Sequence, residues 1–258
     1  MQYMTIGLKR KVSLILLPID DFTGRIITGS KLRVYLKEEN VSSIRKQDGY
    51  HIFCNLSGSE AEICLEGPLY QKQILRLPIG QEKPKVYPVR MFPGIAYPLP
   101  KETTIVSGTL PEGGVLKLVT FGQKRGCKLL HDYDPGVQGE SLSLFRPFET
   151  FLVGRTMCIR DKEKNYEFFK ITDQKGNICI PEHPLSKTYR KIGTGVYPVY
   201  EITGGEDGEF RLPINGLTEE EIGIGFLMRA GIEEKSCEIS LMAGKENRIT
   251  EDMWKEVI

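Results

Sequence analysis

The chain has 258 residues, 40% apolar and 27% charged, with 35 basic and 34 acidic side chains and a net charge of +1. That composition fits one large or two ordinary globular domains and excludes the disordered and fibrous classes. The charge balance offers no global field for nucleic acid or an anionic membrane, and no apolar run approaches the roughly 20 residues of a membrane helix.

Taken in chain order, Lys9-Arg10-Lys11 and the apolar run from Val12 to Ile19 mimic a short secretion signal. Asp20-Asp21 follow where small cleavage-site residues should stand, so the run reads as a buried strand. Residues 31–36 alternate, placing Leu32, Val34 and Leu36 on one face. Asp48-Gly49 supplies a tight turn before the strand from Tyr50 to Cys54. Residues 62–66 and 73–77 complete five short strands in about 70 residues, the spacing of a sandwich or barrel. Seven prolines between Pro78 and Pro111 then mark an extended connector. Proline lacks a ladder donor, so this stretch is not expected to hold central strands.

Strand patterns resume over residues 115–121, 141–145, 151–160, 166–171, 177–180, 196–202 and 209–214, with one more near Gly225. A second Asp-Gly turn, Asp207-Gly208, forms a weak internal echo of the first. Helix signals are scarce. Thr250 can cap a short C-terminal helix with Met253, Trp254, Val257 and Ile258 on one face. Too short to persist alone in water, that face must dock, preferentially on its own chain. The resulting expectation is a mainly β protein of two β-sandwich or barrel-like domains with a short C-terminal helix. Residues 1–80 form the first domain, 81–114 a packed Pro-rich connector, and 115–258 the second.

The segment from Asp21-Phe22-Thr23-Gly24 through Gly29 and the alternating strand to Val34, then Asp48-Gly49-Tyr50-His51-Ile52-Phe53, resembles the prealbumin-like, carboxypeptidase-regulatory-type β-sandwich module. The likeness covers roughly residues 12–79. It implies an accessory or scaffold module, sometimes one that binds sugars or proteins. That family has no shared catalytic residues, so the resemblance assigns none.

Chemistry-bearing motifs are sparse. The six cysteines, Cys54, Cys64, Cys127, Cys158, Cys179 and Cys237, form no Cys-x-x-Cys pair. Most sit in strand-like runs and read as buried thiols of a reducing, cytoplasmic compartment. Asn40-Val41-Ser42 and Asn55-Leu56-Ser57 fit the glycosylation pattern, which carries meaning only on secretion. His131, Asp132 and Asp134 are the densest set of metal-ligand types; with Glu140 they could hold a cation, although Asp-Pro-Gly is also an ordinary turn. Gly193-Thr194-Gly195 and Gly223-Ile224-Gly225 are isolated Gly-x-Gly pieces that complete no dinucleotide fingerprint.

These observations lead to a non-catalytic structural or adaptor protein, of the kind found in phage-tail-like assemblies, with protein partners or self-association and no cofactor, nucleic acid or membrane. One alternative is a carbohydrate-binding module stacking sugars on Tyr87, Tyr97 and Tyr197, with Phe92 and Tyr200 as further rings. Another is a hydrolase whose cleft gathers His131 or His183 with distant acids.

Overall fold

The computed structural model describes residues 11–29, 32–79, 85–122, 126–136, 141–145, 152–204 and 207–256. The chain divides into two compact units, Met1–Asp21 with Arg25–Tyr97, and Phe22–Gly24 with Pro98–Ile258. Among the described residues no helix is long and apolar enough to cross a membrane.

The first unit is a two-layer β-sandwich. Its strands are β1 (Val12–Asp20), β2 (Arg33–Leu36), β3 (Ile44–Arg45), β4 (His51–Cys54), β5 (Glu60–Gly67), β6 (Tyr70–Pro78) and β7 (Val86–Met91). One sheet runs β3-β4-β1-β7 and the other β2-β5-β6. β1 lies antiparallel to β4 and parallel to β7, from Ile15 opposite Val86 to Asp20 opposite Met91. The core takes alternate residues from both layers, among them Leu14, Leu16, Val34, Leu36, Phe53, Ile63, Leu65, Val89 and Met91. This is the period-two division expected of strands with one buried face. Gly49, at φ +92°, makes the β3–β4 turn possible.

The second unit contains β8 (Thr104–Thr109), β9 (Gly114–Thr120), β10 (Cys127–Leu129), β11 (Leu142–Phe145), β12 (Thr156–Arg160), β13 (Tyr166–Lys175) and β14 (Ile178–Pro181). It continues with β15 (Gly195–Thr203), β16 (Glu209–Ile214), β17 (Glu221–Arg229), β18 (Ile232–Leu241), β19 (Glu246–Ile249) and β20 (Lys255–Glu256). Six strands in the order β10-β11-β14-β13-β12-β15 close on themselves through the β10–β15 pairing and form a small barrel. Its interior is filled by side chains including Leu129, Tyr133, Leu144, Met157, Ile171 and Tyr189. Past the barrel, β15 continues into the sheet β15-β9-β17-β18-β20, which faces the smaller sheet β16-β8-β19. Leu116, Leu118, Tyr200, Ile202 and Leu227 point into the layer between the two sheets. On the opposite face Val119, Val199, Phe226 and Met228 form a second cluster. The central sheet is thus buried on both faces, which is why the β15 sequence is apolar almost continuously rather than alternating. Gly223 and Gly225 serve packing here: a Cβ on Gly225 would stand 2.9 Å from Cys237 Sγ and 3.2 Å from Leu116 Cδ1.

Two expectations are corrected. The C-terminal segment forms no α-helix: Glu251–Met253 make a single 3-10 turn and β20 then pairs with β18, Lys255 opposite Ser236. Nine residues nucleate a helix poorly, whereas the β18 edge offers ready backbone partners. Met253 and Trp254 still pack half-buried against their own unit's core, while Val257 and Ile258 lie outside the described residues. The proline-bearing stretch also contains a central strand, because β8 stands between β16 and β19. Thr104–Thr109 falls between Pro100 and Pro111 without a proline of its own, so its ladder donors are intact.

His51 on β4 is 3% exposed, and its Nδ1 shares a 2.8 Å hydrogen bond with the Ser43 hydroxyl. Burial first, and the nearby Arg45 charge second, lower its pKa to about 4. An unfolded histidine protonates near pH 6.5, so the unfolded state gains the proton first as pH falls. The stability held above pH 6.5 is therefore lost progressively down to pH 4, by up to about 3 kcal/mol. Urea unfolding at pH 7, 5.5 and 4.5 should show this slope in the wild type and a flatter one in His51→Gln.

Candidate functional site

A cleft of about 400 Å3 opens in the second unit where the barrel meets the central sheet. Its lining includes Lys117 of β9, Thr156 of β12, Glu167, Phe168 and Lys170 of β13, Glu182 and His183 after β14, and Glu201 of β15. Strand register assembles this set. Phe226 lies opposite Lys117, Lys117 opposite Glu201, and Thr156 opposite Lys170. Lys117 and Glu201 form a cross-strand pair of opposite charge, which favours this alignment.

Several of the side chains are held in place. The Thr156 hydroxyl donates to Glu201 Oε2 at 3.3 Å, and the Ser186 backbone N–H donates to Glu167 Oε2 at 2.8 Å. Leu185 N–H donates to the Tyr133 hydroxyl at 3.0 Å, tying the loop that carries Glu182 and His183 to the barrel interior. Phe168 packs edge-on against Phe226, with centroids 5.2 Å apart, and the Lys117 ammonium lies 4.9 Å from its ring centre. The result is a cleft that holds a half-buried aromatic ring and is lined also by three carboxylates, two ammonium groups, an imidazole and a hydroxyl. Carboxylates accept and lysines donate, so the cleft can hydrogen-bond a polyhydroxylated ligand in both senses.

The residues singled out from sequence lie elsewhere, His183 excepted. His131 is exposed. Asp132 accepts from the Lys191 backbone N–H at 2.7 Å and pairs with Arg190 at 3.0 Å. Those contacts, the backbone bond foremost, hold its carboxyl below the usual range. Asp134 accepts from Gly136 N–H at 2.9 Å, the signature of an Asx turn. Glu140 lies outside the described residues, and among the described residues no three His, Cys, Asp or Glu side chains gather as a metal site.

Of the tyrosines, Tyr87 is half-buried against the first unit's core, with Lys85 5.8 Å from its ring. Tyr97 donates to Asp20 Oδ2 at 2.6 Å and meets Tyr70 edge-on, with centroids 5.8 Å apart. Tyr70 donates to the same carboxylate oxygen at 3.0 Å. Tyr197 packs edge-on against Phe121 at 5.1 Å, and Tyr200 is buried beneath Arg155. Phe168, Lys117, Thr156 and Glu201 carried no sequence signal. Their one trace is a polar or aromatic residue interrupting an otherwise apolar strand.

No family model and no curated protein matches the chain. Among solved structures, it is similar to a Bacteroides uniformis protein proposed to bind carbohydrate, at 10% identity over 88% of this chain and 89% of that one, with a TM-score of 0.24. It is also similar to the major pilin subunit BcpA of Bacillus cereus, at 8% identity over 93% of this chain and 69% of that one, with a TM-score of 0.24. The shaft pilin SpaA of Lactobacillus rhamnosus GG aligns at 8% identity over 97% of this chain and all of that one, with a TM-score of 0.21.

The Tyr97–Asp20–Tyr70 cluster gives Tyr97 a structural duty that can be measured. A hydrogen bond to a buried charged acceptor contributes about 1.5–3 kcal/mol. Tyr97→Phe should therefore lower the first unit's unfolding free energy by about that amount in chemical denaturation, with its aromatic ring retained.

Proposed function

We propose that this chain is a non-catalytic β scaffold or adaptor, a component of a larger assembly. In this reading its first unit is a prealbumin-like module, and the second β unit follows a proline-rich connector. The observation that carries it is the state of the reactive groups. Cys64, Cys127, Cys158, Cys179 and Cys237 are buried, and burial pushes the Cys158 thiol up to about 12 and the Cys237 thiol to about 11. A thiol so placed is protonated and inert at neutral pH. His51 is held neutral inside the first unit, and Asp21 lies 3.7 Å from a buried Arg90 in an ion pair. These groups support packing rather than turnover.

A second reading concerns recognition, and the Phe168 cleft favours it. A ring edged by Glu167, Glu182, Glu201, Lys117 and Lys170 is suited to hold a carbohydrate displayed by a partner. The same cleft gathers His183 with acids, the arrangement that the hydrolase alternative requires. The experiment therefore has two arms. On a glycan array the wild type should bind at least one glycan class, and Lys170→Ala or Glu201→Gln should weaken that binding about tenfold, the loss of one good hydrogen bond to a charged group. In parallel, incubation with the bound glycan should leave it intact. Cleavage abolished by Glu201→Gln or His183→Ala would replace the scaffold reading with an enzyme, and absence of glycan binding at high micromolar concentration would remove the carbohydrate reading.

A further inference from the structure

A second cleft, of about 390 Å3, lies at the other end of β15, where that strand pairs with β10. Lys128, Lys191, Gly193, Thr194, Gly195 and Tyr197 line it, and among the described residues its lining includes no carboxylate. Both lysines are exposed. Asp132, in the neighbouring loop, is engaged by the Arg190 guanidinium and the Lys191 backbone N–H, and its carboxylate also senses the Lys191 charge. Thr194 is 6% exposed, yet its hydroxyl has no hydrogen-bond partner among the described residues. A buried hydroxyl left in that state is destabilising, and a bound acceptor would relieve it.

The glycines make room for neighbouring side chains at this wall. Gly193 has φ +86°, in the left-handed region, and the Lys162 methylene chain stands 3.3–3.5 Å from where its Cβ would be. A Cβ on Gly195 would fall 2.3 Å from the Tyr197 hydroxyl. The Lys162 chain and the Tyr197 side chain therefore occupy the space beside Gly193 and Gly195, so the groups this wall offers a ligand are side chains rather than peptide groups. Gly193-Thr194-Gly195 is not a dinucleotide motif. It makes a short wall with two ammonium groups and one hydroxyl nearby.

We propose that this cleft binds a small tetrahedral oxyanion, the phosphate or sulfate group of a ligand. Lys128 and Lys191 supply the charge, Thr194 donates a hydrogen bond, and the Tyr197 hydroxyl stands at the wall as a further donor. The site shares no lining residue with the Phe168 cleft, so it stands whatever that cleft holds.

The test uses the full chain at constant ionic strength, with chloride exchanged for inorganic phosphate or sulfate, read by calorimetric titration and by thermal unfolding. Saturable binding is expected, with a dissociation constant of about 1 mM or below. Lys128→Ala/Lys191→Ala, both at exposed positions, should weaken it at least about tenfold, and Thr194→Val about three- to tenfold with the fold retained. Glucose 6-phosphate competing with phosphate, where glucose does not, would assign the anion to a phosphorylated ligand; failure to compete would assign it to the free ion. No saturation up to about 50 mM, or saturation unchanged in the double lysine variant, would overturn the proposal.

Discussion

One strand holds the second unit together. β15 closes the barrel with its first residues, Gly195 and Val196, which pair with β10, and opens the central sheet with its last five, which pair with β9. On its other flank it pairs with β12 from Gly195 to Pro198. Pro198 has no N–H to donate and falls where one flank passes from β10 to β9, a position where a missing ladder donor is tolerated. The register of this strand fixes the barrel interior through Val196 and the central sheet's two faces through Val199, Tyr200 and Ile202. Each such side chain contributes about 1.5–3 kcal/mol by burial, so a slip of one residue would exchange both faces at once.

Both clefts depend on the same strand. Glu201 belongs to one, Gly195 and Tyr197 to the other. Alternation decides this: residues 196, 200 and 202 turn to cores, which leaves Gly195, Tyr197 and Glu201 for other uses. Tyr197 then needs room, and Gly195 and Gly126 provide it.

Much of the fold was legible. Periodicity located β1, β2, β4, β5, β6, β9 and most strands from β11 to β17, because these are apolar runs or alternations bounded by turn residues. The strands without signal have identifiable reasons. β7 carries Pro88 and β10 has three residues, too few for a pattern. β18 reads Ile-Glu-Glu-Lys-Ser before its first buried residue, Cys237, because its first half packs few apolar groups. The Asp207-Gly208 turn does occur, with Gly208 at φ +78°, but it leads into a strand of a different sheet rather than a hairpin. Turn chemistry specifies local geometry, while the choice of sheet is made by distant packing.

The clefts were scarcely legible, and the cause is physical rather than compositional. Lys117, Thr156, Phe168, His183 and Glu201 come from five separate segments, so no spacing rule joins them; only the register of β9, β12, β13 and β15 does. The near-zero net charge conceals the same feature. A balance of 35 basic and 34 acidic side chains rules out a global field, yet it permits segregation over distances shorter than the screening length of about 8–10 Å. One cleft is lined by three glutamates and two lysines beside a ring, while among the described residues the lining of the other holds lysines and no acid. A ligand at either cleft experiences the local set rather than the sum, so the charge that bears on recognition is set by strand pairing, which the composition of this chain does not record.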